Sequence, residues 1–274
     1  MRRARALGKR ARREQARQFL AEGPQAVREA LGGLPGAGTS LITELFVTGQ
    51  ALARHAGLVA DVAATGAAVH EVSGELMAEL AQTVTPQGLL AVCPFVDLPP
   101  ADLLASGTRL ASGTRLAVVL ANVRDPGNAG TVLRTADAAG AGAVIFAGAS
   151  VDPYNSKCVR SSAGSLFHVP LATGVTVADA VAGLRAAGFA VLAADGGAAS
   201  SLDGLEESGR LGAPTAWLFG NEAWGLPADL VALADDAVAV PVYGRAESLN
   251  LAAAAAVCLY ASARAQRRGA AQGG

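Results

Sequence analysis

Short apolar runs bounded by turn residues alternate along this chain with stretches whose apolar positions recur every three or four residues. The first pattern predicts strands and the second amphipathic helices. In the first third, Phe19-Leu20-Ala21, Leu45-Phe46-Val47, Ala68 to Val72 and Leu89 to Val92 read as strands. Pro24 opens a helix through Leu31, a helical stretch surrounds Leu52, and Ser73 caps a helix to Leu80. Beyond Arg115 the predicted strands are Leu116 to Leu120, Ala143 to Phe146, Phe189 to Ala193, Ala216 to Phe219 and Ala237 to Val242. Between and after them come a helix opened by Asn128 and ended by Gly140, one near Val177 to Ala187, a short one opened by Pro227, and a long one from Leu249 to Arg264 capped by Ser248. Strand–helix alternation of this kind predicts a parallel sheet with helices on both faces, so the fold class is α/β.

Pro94 to Arg115 breaks the pattern. It carries Pro99-Pro100 and a literal repeat, Ala-Ser-Gly-Thr-Arg-Leu at Ala105 to Leu110 and again at Ala111 to Leu116. A duplicated hexapeptide inside a packed strand shifts register and turns side chains to the wrong face, whereas in a linker it only adds reach. The expected organisation is a basic N-terminal arm over 1–17, a small α/β domain over 18–97, a linker over 98–115 and a parallel-sheet domain over 116–268.

At 274 residues with 51% apolar content the chain can fill two cores. The richest apolar segment, Leu249 to Ala263, is mostly alanine and contains Asn250, which argues against a membrane span. The charged N-terminus is followed by no apolar signal region, so the expected compartment is the cytoplasm. Cys93, Cys158 and Cys258 and the histidines His55, His70 and His168 match no metal-ligand spacing, so no metal is expected. Charge changes the picture at one end: Arg2, Arg3, Arg5, Lys9, Arg10, Arg12, Arg13 and Arg17 stand against a single Glu14, although the net charge is −1. Such an arm either meets a phosphate backbone or is a solvated tail.

Three segments end strands and continue into loops too polar or glycine-rich to be simple connectors: Asn122 to Arg134, Phe219 to Leu226, and Val240 to Asn250. Strand C-termini of a parallel sheet lie on one edge, so these loops can converge on one crevice, where a ligand is expected. A dinucleotide-binding domain is the competitor. It fits poorly, because the first loop lacks the full G-x-G-x-x-G spacing and the second strand ends Ala147-Gly148-Ala149 without an acidic ribose ligand. Arg134, almost two turns into its helix among small and apolar neighbours, needs solvent or an anionic partner.

At these residues the chain resembles the SpoU-type (TrmH-like) RNA ribose methyltransferases of the SPOUT superfamily. The resemblance rests on Gly127-Asn-Ala-Gly-Thr-Val-Leu-Arg-Thr-Ala-Asp137, on Phe219-Gly-Asn-Glu-Ala-Trp-Gly-Leu226, and on Val240-Pro241 with Ser248-Leu249-Asn250. It extends to Phe19-Leu20-Ala21-Glu22-Gly23-Pro24 and Thr85-Pro86-Gln87-Gly88, which look like that family's substrate-binding domain of ribosomal-protein-like α/β fold. One departure is Ala252, where the family often has serine. The resemblance implies a C-terminal trefoil knot, a homodimer, and S-adenosylmethionine held near Leu218, Gly220, Val240, Leu249 and Asn250. Its substrate is RNA, with ribosomal RNA ranked above transfer RNA.

The implied reaction moves a methyl group from a sulfonium to a ribose 2′-hydroxyl. Arg134 is the family's candidate for stabilising the developing alkoxide, because a guanidinium is a poor literal base. Asn128 and Asn250 orient the arginine or the nucleotide, Ser248 holds the last loop, and Glu222 supports the motif loops. Simpler readings stand beside these: a salt bridge from Arg134 to Asp137 or Glu222, plain helix caps at Asn128 and Ser248, and a solvated loop at Arg160, Ser161 and Ser162 where phosphate contact is the alternative. A catalytically silent RNA-binding or ribosome-assembly protein on the same fold is the alternative function.

Overall fold

The computed structural model describes residues 1–34, 36, 38–104 and 115–272. The first elements are α1 (Arg2–Ala6), α2 (Arg10–Ala16), β1 (Gln18–Glu22), α3 (Pro24–Gly32), β2 (Glu44–Thr48), α4 (Gly49–Arg54), α5 (Ala56–Ala64), β3 (Ala68–Val72), α6 (Gly74–Ala81) and β4 (Leu89–Pro94). Next come α7 (Pro100–Leu104), β5 (Leu116–Ala121), α8 (Pro126–Ala139), β6 (Ala143–Ala147), α9 (Ser156–Ser162), β7 (Leu171–Val175) and α10 (Val177–Ala186). The chain ends with β8 (Ala190–Ala194), β9 (Ser200–Ser201), α11 (Leu202–Glu207), β10 (Thr215–Phe219), α12 (Ala228–Val231), β11 (Asp236–Ala239) and α13 (Leu251–Gln272). Two compact units result: Met1–Val96 with Asp152–His168, and Asp97–Val151 with Val169–Gly274.

The first unit is built on a mixed sheet in the order β1-β4-β2-β3, with β4 antiparallel to both neighbours and β3 parallel to β2. Strand alternation puts Leu20, Phe46, Leu90 and Val92 in one cluster with Met77 and Leu80 of α6 and with Ala4 and Leu7. The basic N-terminal segment is therefore folded, because its Ala4 and Leu7 help fill this core. Arg13 is 5% exposed and donates to Asp152 at 2.9 and 2.6 Å and to the carbonyls of Leu7 and Gly8. Its carboxylate partner lies 139 residues away, which no local pattern reveals.

That partner opens the polar segment read as a solvated or phosphate-binding loop. Instead the segment contains α9, whose Cys158 and Val159 are buried, while Tyr154 and Phe167 pack against the ring of Phe19. Arg160 pairs with the buried Glu22 at 3.3 Å, Ser162 is buried and bonds the Val159 carbonyl, and Ser161 bonds the carbonyls of Lys157 and Cys158. These residues hold the first unit together.

The second unit carries a parallel sheet in the order β7-β6-β5-β10-β8-β11-β9. The front of the expected linker is packed here: Leu98 bridges to Ala172 and Leu103 is buried in the core. Residues 105–114, most of the duplicated hexapeptide, lie outside the described residues, and its last residue, Leu116, begins β5. β7 and the two-residue β9 have no clear apolar run in the sequence. β11 stops at Ala239, short of the expected Val242, where Pro241 offers no amide to a ladder. The terminal helix α13 packs on α8. It is pinned from beneath by the Trp217 Nε1 bond to Ser262 Oγ (2.9 Å) and by Gln266, which donates to the carbonyls of Arg115 and Ala213. Among the described residues no helix is long and apolar enough to cross a membrane, and no cluster of side chains suits a metal ion. The three cysteines are buried and not joined in a disulfide, and burial pushes the Cys258 thiol up to about 12.

Candidate active site

β5 and β10 are neighbours, with Leu120 beside Phe219. From β5 the chain winds outward through β6 and β7, while β8, β11 and β9 lie beyond β10, so the strand order reverses between the two. Such a reversal opens a crevice at the strand C-termini. The loops that leave there are tied together. Asn122, in the left-handed region at φ 57°, accepts from the Ala149 amide through Oδ1 (2.8 Å), and its carbonyl accepts from Asn221 Nδ2 (2.9 Å). Asn221 is buried and exchanges two backbone hydrogen bonds of 2.9 Å with Gly225, closing a tight turn. Gly220 lies against that turn, and a Cβ there would come within 2.4 Å of the Gly225 carbonyl. The turn itself requires glycine at 220.

Glu222 projects from the turn to the start of α8. Its carboxylate accepts from the amides of Arg124 (3.1 Å) and Asp125 (3.0 Å) and from Asn128 Nδ2 (3.3 Å). Asn128 Oδ1 in turn accepts from Asn250 Nδ2 at 3.1 Å. Asn250 Oδ1 accepts from the Ala252 amide at 2.8 Å and so caps α13. The motif asparagines and the glutamate thus form one hydrogen-bonded chain from the β10 loop to the last helix. Two capping expectations are corrected. Asp125, not Asn128, is the N-cap of α8, accepting from the Asn128 amide at 2.8 Å with Pro126 at the first helical position. Asn250, not Ser248, caps α13, because the helix begins two residues later than its apolar pattern suggests.

Next to this chain lies a cavity of about 440 Å³, lined by Gly220, Glu222, Val240, Pro241, Ser248 and Leu249 among others. This is within the roughly 300–1,000 Å³ usual for small-molecule sites. Asp195 and Glu247 add carboxylates to Glu222, and no Lys or Arg occurs among the described lining residues. An acidic wall without cations suits a positively charged ligand and disfavours a pyrophosphate. Leu218 is fully buried in the core and does not line the cavity, nor does Asn250.

Arg134 stands apart. It is exposed on α8, six residues beyond Asn128 and hence about 9 Å farther along the axis. It does not line the cavity and has no hydrogen bond or ion pair among the described residues. The expected salt bridge to Asp137 or Glu222 is therefore absent, and Glu222 serves backbone amides and Asn128 instead. Sequence reasoning did not single out Asn122, Asn221, Arg124, Asp195 or Glu247. Only the two asparagines carried a signal, since Asn tolerates positive φ and bonds its own turn.

Residues 115–260 match the SpoU rRNA Methylase family, and residues 1–91 match the MRM3-like substrate binding domain. The chain is 34% identical over 244 residues, covering 88% of this chain and 87% of the relative, to the 23S rRNA (guanosine(2553)-2'-O)-methyltransferase RlmP of Bacillus subtilis. Among solved structures it is similar to the SpoU methyltransferase AviRb from Streptomyces viridochromogenes in complex with AdoMet, with TM-score 0.78, 30% identity and 97% of each chain covered. It is also similar to an AdoMet-bound rRNA methyltransferase from Sinorhizobium meliloti, with TM-score 0.76, 32% identity and 96% of this chain and 93% of that one covered.

Proposed function

The chain belongs to the SpoU rRNA methylase family, and from that premise we propose that it transfers the methyl group of S-adenosylmethionine to a ribose 2′-hydroxyl of ribosomal RNA. The observation that carries this reading is the acidic cavity at the C-terminal ends of β8, β10 and β11, with no Lys or Arg among its described lining residues and directly beside the Glu222–Asn128–Asn250 chain. Gly220, Val240, Ser248 and Leu249 would hold the cofactor there, largely through their backbone. When bound, S-adenosylmethionine supplies an electrophilic methyl on a sulfonium. A catalytically silent RNA-binding protein would need no such cavity.

This chain's own task is to present an alkoxide-like oxygen to that methyl. The Arg134 guanidinium stabilises the growing negative charge, while Asn128 and Asn250 fix the nucleotide. Arg134 lies away from its own chain's cavity, so its role at the reacting oxygen calls for a second copy. A homodimer is supported by α13, which leaves Val257 43% and Tyr260 47% exposed at i, i+3 spacing. We read the segment from Val240 to Asn250 as the knotted one, on the ground that it leaves β11 beyond β8 and yet returns to α8. In the first unit, Arg2, Arg3 and Lys9 are exposed and have no partner among the described residues, which suits an RNA backbone in the cytoplasm.

The test is transfer of labelled methyl from S-adenosylmethionine to ribosomal RNA, mapped by reverse-transcription stops at low nucleotide concentration. A single 2′-O-methylated nucleotide is expected. Methylation on a base, or transfer only to transfer RNA, would overturn the reading.

A further inference from the structure

The turn that carries Glu222 also carries an indole with no role in the cavity. Trp224 is 58% exposed, whereas the chain's other tryptophan, Trp217, is fully buried. The Arg124 guanidinium stands over the Trp224 ring at 5.8 Å from its centroid, and it makes no side-chain hydrogen bond or ion pair among the described residues. Both residues sit on rigid backbone: the Arg124 amide is held by Glu222, and the Asn221–Gly225 bonds close the turn around Trp224. An aromatic face flanked by a planar cation, on two loops locked to each other, is a stacking surface with a phosphate-attracting edge.

Its place suggests the occupant. The glutamate that links the two loops also accepts from Asn128, so Trp224 and Arg124 border the group proposed to fix the ribose. In a nucleotide, C2′ is bonded to C1′, which bears the base, so a ribose held at Asn128 must place its base within a few bonds of that point. Resting on the methyltransferase reading above, we propose that Trp224 and Arg124 form the platform on which the base of the target nucleotide stacks. The target is then an unpaired or everted nucleotide, because a base inside an A-form helix has both faces covered. Stacking is tolerant of base identity, so the platform positions the ribose without choosing the sequence. Trp224 and Arg124 are in this sense positioning residues.

The experiment uses the full chain with S-adenosylmethionine and a ribosomal RNA fragment that the wild type methylates. Base–aromatic stacking of about 1–3 kcal/mol per base corresponds to roughly 5- to 150-fold in binding, so Trp224→Ala should raise KM for RNA by about that factor. Affinity for S-adenosylmethionine should not change, and Trp224→Phe should recover most of the loss. Because Trp217 is buried, quenching of tryptophan fluorescence by a single-stranded target oligonucleotide reports on Trp224, and Trp224→Phe should abolish it. Arg124→Ala should raise KM in the same direction and flatten the salt dependence of binding. Unchanged KM in Trp224→Ala, or absence of quenching in the wild type, would overturn the platform. So would a Trp224→Ala chain that sediments as a monomer where the wild type is a dimer, since the indole would then be a subunit contact. A wild type that transfers no methyl to any ribosomal RNA would instead overturn the proposed function.

Discussion

The side-chain amide of Asn250 donates to Asn128 Oδ1 across 3.1 Å, joining the cap of α13 to the first turn of α8. One oxygen of Asn250 caps a helix while its nitrogen holds the neighbouring asparagine, so the two roles can be separated by substitution. Asn250→Asp keeps the cap acceptor and loses the donor. It should melt close to wild type and lower methyl transfer by about tenfold or more, the scale of a misplaced reacting group. Asn250→Ala should in addition lose about 1 kcal/mol of stability. Equal losses of stability in the two variants would mean that capping is the whole role.

Glu222, on the loop after β10, gathers three donors from the loop after β5 and the first turn of α8, and its side chain is exposed. Glutamine offers one acceptor oxygen in place of two, so Glu222→Gln should leave part of this set unmade. Stability should change by less than about 1 kcal/mol, as is usual for exposed substitutions. Methyl transfer should fall by about tenfold because one tie between the β5 and β10 loops is weakened, leaving the Asn221–Asn122 bond. Thermal melts beside single-turnover transfer would separate the two quantities.

The Arg13–Asp152 pair leads to a prediction about folding rather than chemistry. Their side chains are 6% and 10% exposed, and two carbonyls complete the arginine's bonding. Removing one member of a buried pair strands the other, so Arg13→Ala should cost about 3–5 kcal/mol in denaturant melts. Deleting residues 1–17 should therefore destabilise the first unit, because Ala4 and Leu7 leave its core as well. RNA binding by the basic face is better probed with Arg2, Arg3 and Lys9 replaced by serine, which should weaken binding and flatten its salt dependence without a large change in melting.

The Arg13 case shows where sequence reading stops. The strands other than β7 and β9, their alternation with helices and the three loops at one sheet edge were legible because each rests on local periodicity and chain order. Arg13 looked like one more solvated arginine, since nothing within a helical turn distinguishes it from Arg12. The helix at Ser156–Ser162 was hidden for the same reason: its buried face is short, and its partner strand lies far back in the chain. At the site, Asn128, Glu222 and Asn250 could be named from their motifs. Their order of hydrogen bonding could not, because it depends on which asparagine caps which helix.

Asp235 gives a pH-dependent prediction away from the site. Burial alone would raise its carboxyl, but the Val191 amide at 2.7 Å and the Arg185 guanidinium at 2.7 Å outweigh that and hold it below its ordinary value. A carboxyl lowered on folding is protonated more readily in the unfolded chain. Its contribution is complete above the unfolded value near pH 4 and is lost as pH falls through the folded value. The melting difference between wild type and Asp235→Asn should hold steady from neutral pH to about pH 5 and close below that. Solvent screening keeps the difference small, since the side chain is 39% exposed. A difference that widens in acid would have the wrong sign for this account.

Arg134 decides between catalysis and silent binding. It is exposed, without a partner among the described residues, and does not line the cavity of its own chain. A sulfonium is already cationic in the ground state, so a guanidinium nearby helps only as negative charge grows on the 2′-oxygen. Arg134→Ala should therefore lower kcat by about two to three orders of magnitude while leaving cofactor affinity and stability nearly unchanged. Arg134→Lys should recover little, because a mobile point charge does not reproduce a planar fork. If the arginine serves a second copy's cavity, mixing Arg134→Ala with a cavity-filling Val240→Trp chain should restore transfer, since a mixed dimer holds one intact pair of cavity and arginine. Random pairing from equal amounts puts about half of the dimers in that state, so recovery should approach a quarter of wild-type activity, each mixed dimer having one working site of two. Full transfer by Arg134→Ala alone would remove it from the mechanism. A mixture of the two variants that forms mixed dimers yet transfers no methyl would place the arginine's action within one chain.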